Sequence, residues 1–195
     1  MATRTRSKPT APGRNGSQTG LLIGAAVAGA AVGLAANVGR KLFVQFASGA
    51  TGDWYDALKA EHDAARALFD KLEATRNEQT IMRTHLLMKL KYALGRHANE
   101  EENVIYPALR EADERQEADH LTGEHGYIKT YLYELEGLAK DDPAWLARLS
   151  EFRKMIEEHM REEEETIFPA LRAKLSEEKN AEITTLMNKE GFKAA

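Results

Sequence analysis

Two segments of fourteen residues have nearly the same sequence, and both begin with histidine. The first, HANEEENVIYPALR, starts at His97, and the second, HMREEEETIFPALR, starts at His159. Nine of the fourteen positions are identical, including the histidine, three consecutive glutamates and the run Pro-Ala-Leu-Arg. Histidine nitrogen and glutamate oxygen without sulfur are ligands that suit Fe, Mn or Zn. The repeat therefore indicates two equivalent halves of one metal site.

Helical geometry selects one glutamate in each segment. Residues three or four apart are neighbours on an α-helix. At about 100° per residue, an offset of four places Glu101 about 40° from His97, whereas an offset of five places Glu102 about 140° away. The same reasoning pairs Glu163 with His159. The other acids of the two runs are expected on solvated faces: Glu100, Glu102, Glu162, Glu164 and Glu165.

One more histidine precedes each of these segments at a similar distance. His62 lies 35 residues before His97, in EHDAAR, and His125 lies 34 residues before His159, in EHGYIK. Burying a carboxylate is costly unless it is paired or bound to a metal. Two carboxylates that bridge, with two histidines for each metal, would form a dinuclear site. The predicted metal ligands are His62, His97, Glu101, His125, His159 and Glu163.

Apolar residues spaced by three or four form four stripes, and each stripe contains one of these histidines. The stripes span residues 54–72, 87–105, 121–135 and 149–167. Such periodicity is typical of amphipathic helices. Four helices with short connections predict an all-α fold, an up-and-down antiparallel four-helix bundle. His85 and His120 lie off the stripes and are not predicted ligands.

Helix boundaries follow from breaks in the pattern. Breaks fall at Asn77, over residues 111–117 and over residues 141–143. Asp142 before Pro143 predicts an N-cap followed by proline at the first helical position. Pro107 and Pro169 are expected to end or kink their helices beyond the ligands.

The composition describes a cysteine-free chain with unevenly distributed charge. Among 195 residues there is no cysteine, which excludes disulfides and thiolate metal sites. Residues 1–50 contain six Lys or Arg and no acid, so residues 51–195 carry a net charge of -10. An acidic main domain argues against nucleic acid as a partner.

The composition divides the chain into four parts. Residues 1–19 are polar, basic and predicted to be disordered. Residues 20–50 form a Gly/Ala-rich hydrophobic segment, predicted to include a helix. Residues 51–175 form the predicted bundle, and residues 176–195 are predicted to form a short helix or tail.

The hydrophobic segment has three interpretations. Residues 20–39 approach the ~20 residues that span a bilayer, so the segment can be a membrane anchor. A cleaved signal peptide and a self-associating soluble segment are the alternatives. If the segment spans, the basic residues before it favour the N-terminus inside and the bundle outside. Localisation therefore stays open between membrane-associated and cytoplasmic, with periplasmic exposure of an anchored bundle.

The arrangement resembles the hemerythrin-like (HHE cation-binding) domain family. The resemblance is carried by His62, HANEEENVIYP from His97, His125 and HMREEEETIFP from His159, over about residues 53–175. It implies a four-helix bundle around two non-haem iron ions with an oxo or hydroxo bridge. It also implies a protein that binds or senses oxygen, nitric oxide or related small oxidants. The alternatives are an oxidoreductase that acts on peroxide or nitric oxide and an iron-handling protein, so enzymatic activity stays open.

One departure separates this chain from the oxygen carriers of that family, which use five His, one Glu and one Asp. Their third helix has His-x-x-x-His, but here Lys129 stands four residues after His125. Their last helix has an Asp five residues after its histidine, and here that residue is Glu164. The more symmetric set resembles a different subgroup, and simple oxygen carriage is not the predicted role.

Overall fold

A computed structural model describes residues 52–194. The predictions on residues 1–19 and 20–50 lie outside the described residues and stay predictions. Within residues 52–194, no helix is both long enough and apolar enough to cross a bilayer.

The first half of the described chain is a helical hairpin. Helix α1 spans Trp54–Glu73, and α2 spans Thr80–Glu100. A five-residue π-helix, π1, continues α2 from Glu101–Ile105, and α3 follows directly over Tyr106–Glu111. The second rod of the hairpin is therefore helical from Thr80 to Glu111 without a break.

The second half repeats this plan and adds one helix. Helix α4 spans Arg115–Gly137, and α5 spans Ala144–Glu162. The π-helix π2 covers Glu163–Ile167 and leads into α6, Phe168–Lys174. Helix α7, Glu177–Ala194, ends the described chain.

The four long rods form a closed ring of neighbours. Helix α1 contacts α2, α2 contacts α4, α4 contacts α5, and α5 contacts α1. Consecutive rods joined by short loops run antiparallel, so the predicted all-α, up-and-down four-helix bundle is confirmed. The buried faces of α1, α4 and α5 follow the predicted stripes, including their histidines.

Aspartate side chains accept hydrogen bonds from backbone N–H groups at the start of α1 and α5. Asp53 caps α1, where its carboxylate accepts hydrogen bonds from the Tyr55 and Asp56 backbone N–H groups. At α5 the cap residue is Pro143, one residue later than predicted. The Asp142 carboxylate still accepts from the Ala144 N–H at 2.8 Å, so it satisfies one of the helix-end donors as expected.

The helical rods continue for several residues beyond Pro107 and Pro169. Pro107 and Pro169 each stand at the second residue of the helix that follows a π-helix. In an α-helix, proline removes one hydrogen bond and clashes with the carbonyl four residues earlier. The wider π turn, which bonds residues five apart, interrupts the α-helical ladder just before each proline.

The core consists of two apolar clusters with a polar layer between them. On α1, for example, Leu58 belongs to one cluster, Ala65 to the other, and buried His62 lies between. The basal cluster includes Trp54, Leu58, Val104, Leu121, Phe168, Ile183 and Met187. The apical cluster includes Ala65, Phe69, Leu94, Ile128, Trp145, Phe152 and Ile156.

Helix α7 closes the basal end of the bundle. Its Ile183 and Met187 are buried in the basal cluster. The Trp54 indole Nε1–H donates to Asn180 Oδ1 at 2.8 Å, and the Trp54 backbone N–H donates to Thr184 Oγ1 at 3.1 Å. The tail is therefore packed into the domain.

Truncation of Ile183 tests the contribution of α7 to stability. Ile183→Ala leaves a cavity in the basal cluster, and we expect the free energy of unfolding to fall by about 2–4 kcal/mol. Leu186→Ala is the control, because Leu186 is exposed on the same helix and should cost less than about 0.5 kcal/mol. Urea denaturation followed by circular dichroism measures both. Equal effects of the two variants would contradict the packing of α7.

Candidate metal centre

The structure brings all six predicted site residues together in the polar layer. Each long rod contributes one histidine, and π1 and π2 each begin with one of the two glutamates. All six side chains are buried: His62, His97, Glu101, His125, His159 and Glu163.

The six residues form two overlapping groups of four. The first group is His62, His97, Glu101 and Glu163, and the second replaces the two histidines with His125 and His159. Within each group, one nitrogen or oxygen from every residue lies within 4.8 Å of the others, a spacing that could hold a metal ion. Both glutamates belong to both groups, so they lie where carboxylates would bridge two ions.

The two glutamates are shared in different ways. Glu101 divides its oxygens, with Oε1 3.1 Å from His97 Nε2 and Oε2 3.2 Å from His125 Nε2. Glu163 uses one oxygen, because its Oε2 lies 3.4 Å from both His62 Nε2 and His159 Nε2. The Nε2 atoms of all four histidines therefore point at shared carboxylate oxygens.

Three polar atoms of this centre have unmet hydrogen-bonding capacity. Within residues 52–194, the buried side-chain atoms without a hydrogen-bond partner are Glu101 Oε1, His159 Nε2 and Glu163 Oε2. Buried polar atoms in folded proteins are nearly always satisfied, and each exception needs an explanation. All three exceptions are metal-ligand atom types in one layer, which fits a centre completed by metal.

A carboxylate fixes the outer nitrogen of each histidine. His97 Nδ1 lies 3.0 Å from Glu61 Oε2, and His159 Nδ1 lies 2.8 Å from Glu124 Oε2. The first pair lies within the first half of the bundle, and the second pair lies within the second half. A Nδ1–H that donates to a carboxylate leaves Nε2 unprotonated and directed inward, which is the tautomer that binds a metal.

The other two histidines use carboxylates from the opposite half. His62 Nδ1 lies 2.8 Å from Glu164 Oε1, and His125 Nδ1 lies 2.9 Å from Glu102 Oε1. The expectation of a solvated face is therefore wrong for Glu164, which is 16% exposed, whereas Glu102 is 35% exposed but also contacts a histidine. Each follows a shared glutamate directly, where a π-helix starts, and reaches across to orient a histidine.

The expectation of a solvated face also fails for Glu100, which is buried. Its carboxylate lies 3.1 Å from Arg96 Nη1. Burial, together with the nearby Glu61 carboxylate, raises the pKa of Glu100 to about 8. Glu162 is partly exposed and accepts from His120 Nε2 at 3.1 Å, whereas Glu165 is exposed as expected.

Tyr106 is a site residue that the sequence analysis missed. Its buried hydroxyl lies 2.8 Å from His125 Nε2, 3.4 Å from Glu101 Oε2 and 3.3 Å from Glu163 Oε1. On an unbroken α-helix, Tyr106 would lie about 180° from His97. The π turn delays the following residues by about one position, or about 100°, and so brings the ring inward.

Tyr106 also breaks the symmetry of the centre. In the repeated segment, its counterpart is Phe168, which lacks a hydroxyl and packs in the basal cluster. Burial and the negative charges of Glu101 and Glu163 raise the pKa of Tyr106 well above its usual value. The phenol therefore keeps its proton and can donate a hydrogen bond toward the centre.

Opposite charges stabilise each other in the metal-free centre. Burial alone would lower the pKa of His97, but the Glu101 and Glu61 carboxylates raise it well above its usual value. Burial alone would raise the pKa of Glu101, but the His97 and His125 imidazoles hold it well below its usual value. Without metal, His97 with Glu101 and Glu61 therefore forms a network of imidazolium and carboxylate groups.

This network predicts the pH dependence of the metal-free protein. Stability from protonated His97 is fully present below about pH 6.5 and is lost as the pH rises through the raised pKa. Stability from ionised Glu101 is present above about pH 4.5 and is lost as the pH falls through the lowered pKa. Glu100 acts in the same direction as His97, because its raised pKa disfavours ionisation in the folded state.

We expect the metal-free protein to be less stable at pH 9 than at pH 5.5, as measured by urea denaturation after chelation. Metal binding requires unprotonated histidine, so the metal-loaded control should gain stability relative to the metal-free protein as the pH rises over this range. A metal-free protein that is more stable at pH 9 than at pH 5.5 would contradict the network.

A small cavity lies against the apical side of the centre. Its volume is about 10 Å³, close to the ~10–15 Å³ that a single water-sized molecule occupies. The walls are mostly apolar, and the remaining walls are histidines of the centre: Leu94, His97, Ala98, His125, Ile128, Ile156, His159 and Met160. The space next to the candidate metal positions therefore suits a very small ligand.

A four-helix bundle with histidines and glutamates converging in its core belongs to the class of metal-binding helical bundles. The model of the hemerythrin HHE cation-binding domain matches residues 53–171. The chain therefore belongs to the hemerythrin HHE cation-binding domain family, as the sequence resemblance predicted.

Three known proteins are similar to this chain. A DNA nickase of Nostoc sp. is 27% identical over 140 residues, covering 72% of this chain and 38% of that protein. An uncharacterized hemerythrin-like protein of Schizosaccharomyces pombe is 25% identical over 128 residues, covering 64% of this chain and 62% of that protein. The match therefore spans less than two thirds of either relative.

The third is a crystal structure of a hemerythrin HHE cation-binding domain-containing protein from Mycobacterium kansasii. It matches with a TM-score of 0.65 and 24% identity, over 73% of this chain and 87% of that one. At this identity, the likeness shows a common fold.

Proposed function

We propose that this chain is a non-haem di-iron protein that binds or senses oxygen, nitric oxide or a related small oxidant. The proposed ligands are His62, His97, Glu101, His125, His159 and Glu163. The observation that carries the proposal is the pair of four-residue groups that share both glutamates, together with the three buried ligand atoms that make no hydrogen bond.

The donor set fits iron. Imidazole nitrogen and carboxylate oxygen suit iron and also manganese or zinc, and the family to which the chain belongs favours iron among them. Two ferrous ions held in this layer would supply two electrons to a small oxidant.

The residues around the proposed ions have three tasks. The carboxylates of Glu61, Glu102, Glu124 and Glu164 hold the histidine rings so that each Nε2 faces inward. The basal and apical clusters enclose the layer and exclude water. The apical cavity gives a small ligand a place beside His97, His125 and His159.

Tyr106 supports a second candidate function, an oxidoreductase that acts on peroxide or nitric oxide. Its hydroxyl lies within 3.4 Å of an oxygen of each shared glutamate and keeps its proton. A phenol in this position can donate a hydrogen bond to a negatively charged ligand and so stabilise it. Tyr106 belongs to the basal cluster and does not line the apical cavity, so this role places the ligand on the basal side of the layer.

Anaerobic loading with ferrous iron, followed by desalting and metal analysis, tests the proposed centre. We expect close to two iron ions per chain. A fully folded chain that retains no iron after loading would overturn the di-iron proposal.

The reduced, loaded protein then separates the two functions. Oxygen, nitric oxide and hydrogen peroxide are added separately while the absorption spectrum and the consumption of each compound are recorded. A spectral change that reverses when the gas is removed supports binding, whereas continued consumption that is lost in His97→Ala supports an oxidoreductase. Tyr106→Phe should retain iron, because Phe168 shows that a phenyl ring fits the equivalent place, but should weaken ligand retention or slow turnover.

A further inference from the structure

A second cluster of potential metal ligands lies on the surface formed by α4 and α5. His120 Nε2 is 3.1 Å from Glu162 Oε2 and 3.6 Å from Glu124 Oε1. One ligand atom from each of the three residues lies within 4.8 Å of the others, and all three side chains are at least partly exposed. Around a tetrahedral ion with bonds of about 2.0–2.1 Å, neighbouring ligand atoms are about 3.3 Å apart. The two measured distances lie on either side of that value.

The internal repeat shows what the equivalent place in the first half contains. The counterparts of Glu124 and Glu162 are Glu61 and Glu100, which stand in the same positions relative to the core histidines. Arg96 lies between Glu61 and Glu100 and forms an ion pair with each of them. A fixed guanidinium therefore lies between the two glutamate side chains of the first half.

The second half has no such guanidinium. The counterpart of Arg96 is Glu158, which pairs with Arg161 on the same helix. Within residues 52–194, the ion pairs of Glu124 and Glu162 are with histidines alone. The counterpart of His120 is Ala57. The second half therefore has a potential metal ligand that the first half lacks, and it lacks the arginine that the first half has.

We propose that His120, Glu124 and Glu162 bind a divalent transition-metal ion at the surface, in a site joined to the core centre through Glu124. One imidazole nitrogen and two carboxylate oxygens form a set that suits zinc, manganese or ferrous iron, with water in the remaining positions. The ion takes the place that Arg96 occupies in the first half.

Glu124 connects the two sites with its two oxygens. Oε1 faces His120, and Oε2 lies 2.8 Å from His159 Nδ1. An ion on Oε1 withdraws electron density from the carboxylate and weakens its hydrogen bond to His159. Occupancy of the surface site therefore alters a histidine of the core centre without direct contact.

The test uses the full chain and zinc, which is diamagnetic. Zinc binding is measured by calorimetry and metal analysis for the unchanged chain and for the double variant His120→Asn, Glu162→Gln, which leaves Glu124 in place for His159. We expect the double variant to bind one zinc ion fewer per chain. The control is His85→Asn, Glu165→Gln, which removes an exposed histidine and an exposed glutamate elsewhere and should leave the zinc count unchanged.

Nuclear magnetic resonance of the zinc-filled protein locates the extra ion. We expect the last zinc to shift the His159 Nδ1 signal in the unchanged chain and not in the double variant. Equal zinc counts in the unchanged chain and the double variant, or an extra zinc that leaves the His159 signal in place, would overturn the proposal. The two proposals fail in different ways. If the core centre binds no metal, the di-iron function is overturned, but the surface site is still tested by the difference of one zinc ion between the unchanged chain and the double variant.

Discussion

Exchange of Glu163 for glutamine should remove both metal ions, not one. Glu163 belongs to both four-residue groups, and its Oε2 lies 3.4 Å from the Nε2 atoms of both His62 and His159. Glutamine keeps the size of the side chain but replaces a negative oxygen donor with a neutral amide. Metal analysis after iron loading is expected to fall from about two ions per chain to fewer than one.

Glu165→Gln is the matched control, because Glu165 lies two residues further along the same acidic run and is exposed. It should retain both ions. Loss of iron in Glu163→Gln must be separated from loss of the fold. The exchange removes the negative partner of His62 and His159, so the metal-free variant should be less stable to urea than the unchanged metal-free chain. Circular dichroism before denaturant is added should still show a folded helical protein. A variant that keeps two iron ions would show that Glu163 is not shared between them.

Exchange of Glu164 for glutamine should weaken metal binding although Glu164 is not a proposed ligand. Its Oε1 lies 2.8 Å from His62 Nδ1 and 2.9 Å from Arg66 Nη1. Although burial opposes ionisation, these partners lower the pKa of Glu164 to about 2, so the side chain is charged at neutral pH. Loss of such a partner behind a ligating histidine typically reduces metal affinity by about 10–100-fold. Competition with a chelator of known affinity measures the change.

Glu102→Gln provides an internal repeat of this experiment. Glu102 stands in the same relation to His125 as Glu164 does to His62, so the two variants should weaken metal binding to a similar extent. Glu165→Gln again serves as the neutral comparison. If both variants bound metal as tightly as the unchanged chain, the orienting role of these carboxylates would be refuted.

The helical bundle and the six proposed ligands follow from local patterns. Stripes spaced by three or four residues predicted the buried faces, and one histidine in each stripe predicted four imidazoles in the core. The i, i+4 rule selected Glu101 and Glu163 from two acidic runs, and both are completely buried. The predicted helices and buried faces are confirmed because helix periodicity is a property of the chain's local geometry and does not depend on partners.

The carboxylates that orient the histidines could not be predicted in the same way. Glu102 and Glu164 looked like solvated residues because an ideal α-helix turns them about 140° from the ligand face. Their partners, His125 and His62, lie on other rods, and sequence spacing carries no information about such contacts. Glu61 and Glu124 each stand directly before a predicted histidine ligand, in the segments EHDAAR and EHGYIK. This shared spacing was visible in the sequence.

Tyr106 shows most clearly which contacts helix periodicity does not predict. Uniform helical geometry places it opposite His97, whereas the π turn before Pro107 rotates it to within 2.8 Å of His125 Nε2. The residue types and spacings were sufficient to establish an all-α bundle, two equivalent halves and a buried His and Glu set. Tertiary structure decided which glutamates hydrogen-bond to the histidines and where the Tyr106 hydroxyl lies. It also decided that Arg96 lies between two glutamates of the first half. The physical reason is that these features depend on where one helix lies against another and on the five-residue turns that depart from the regular helix.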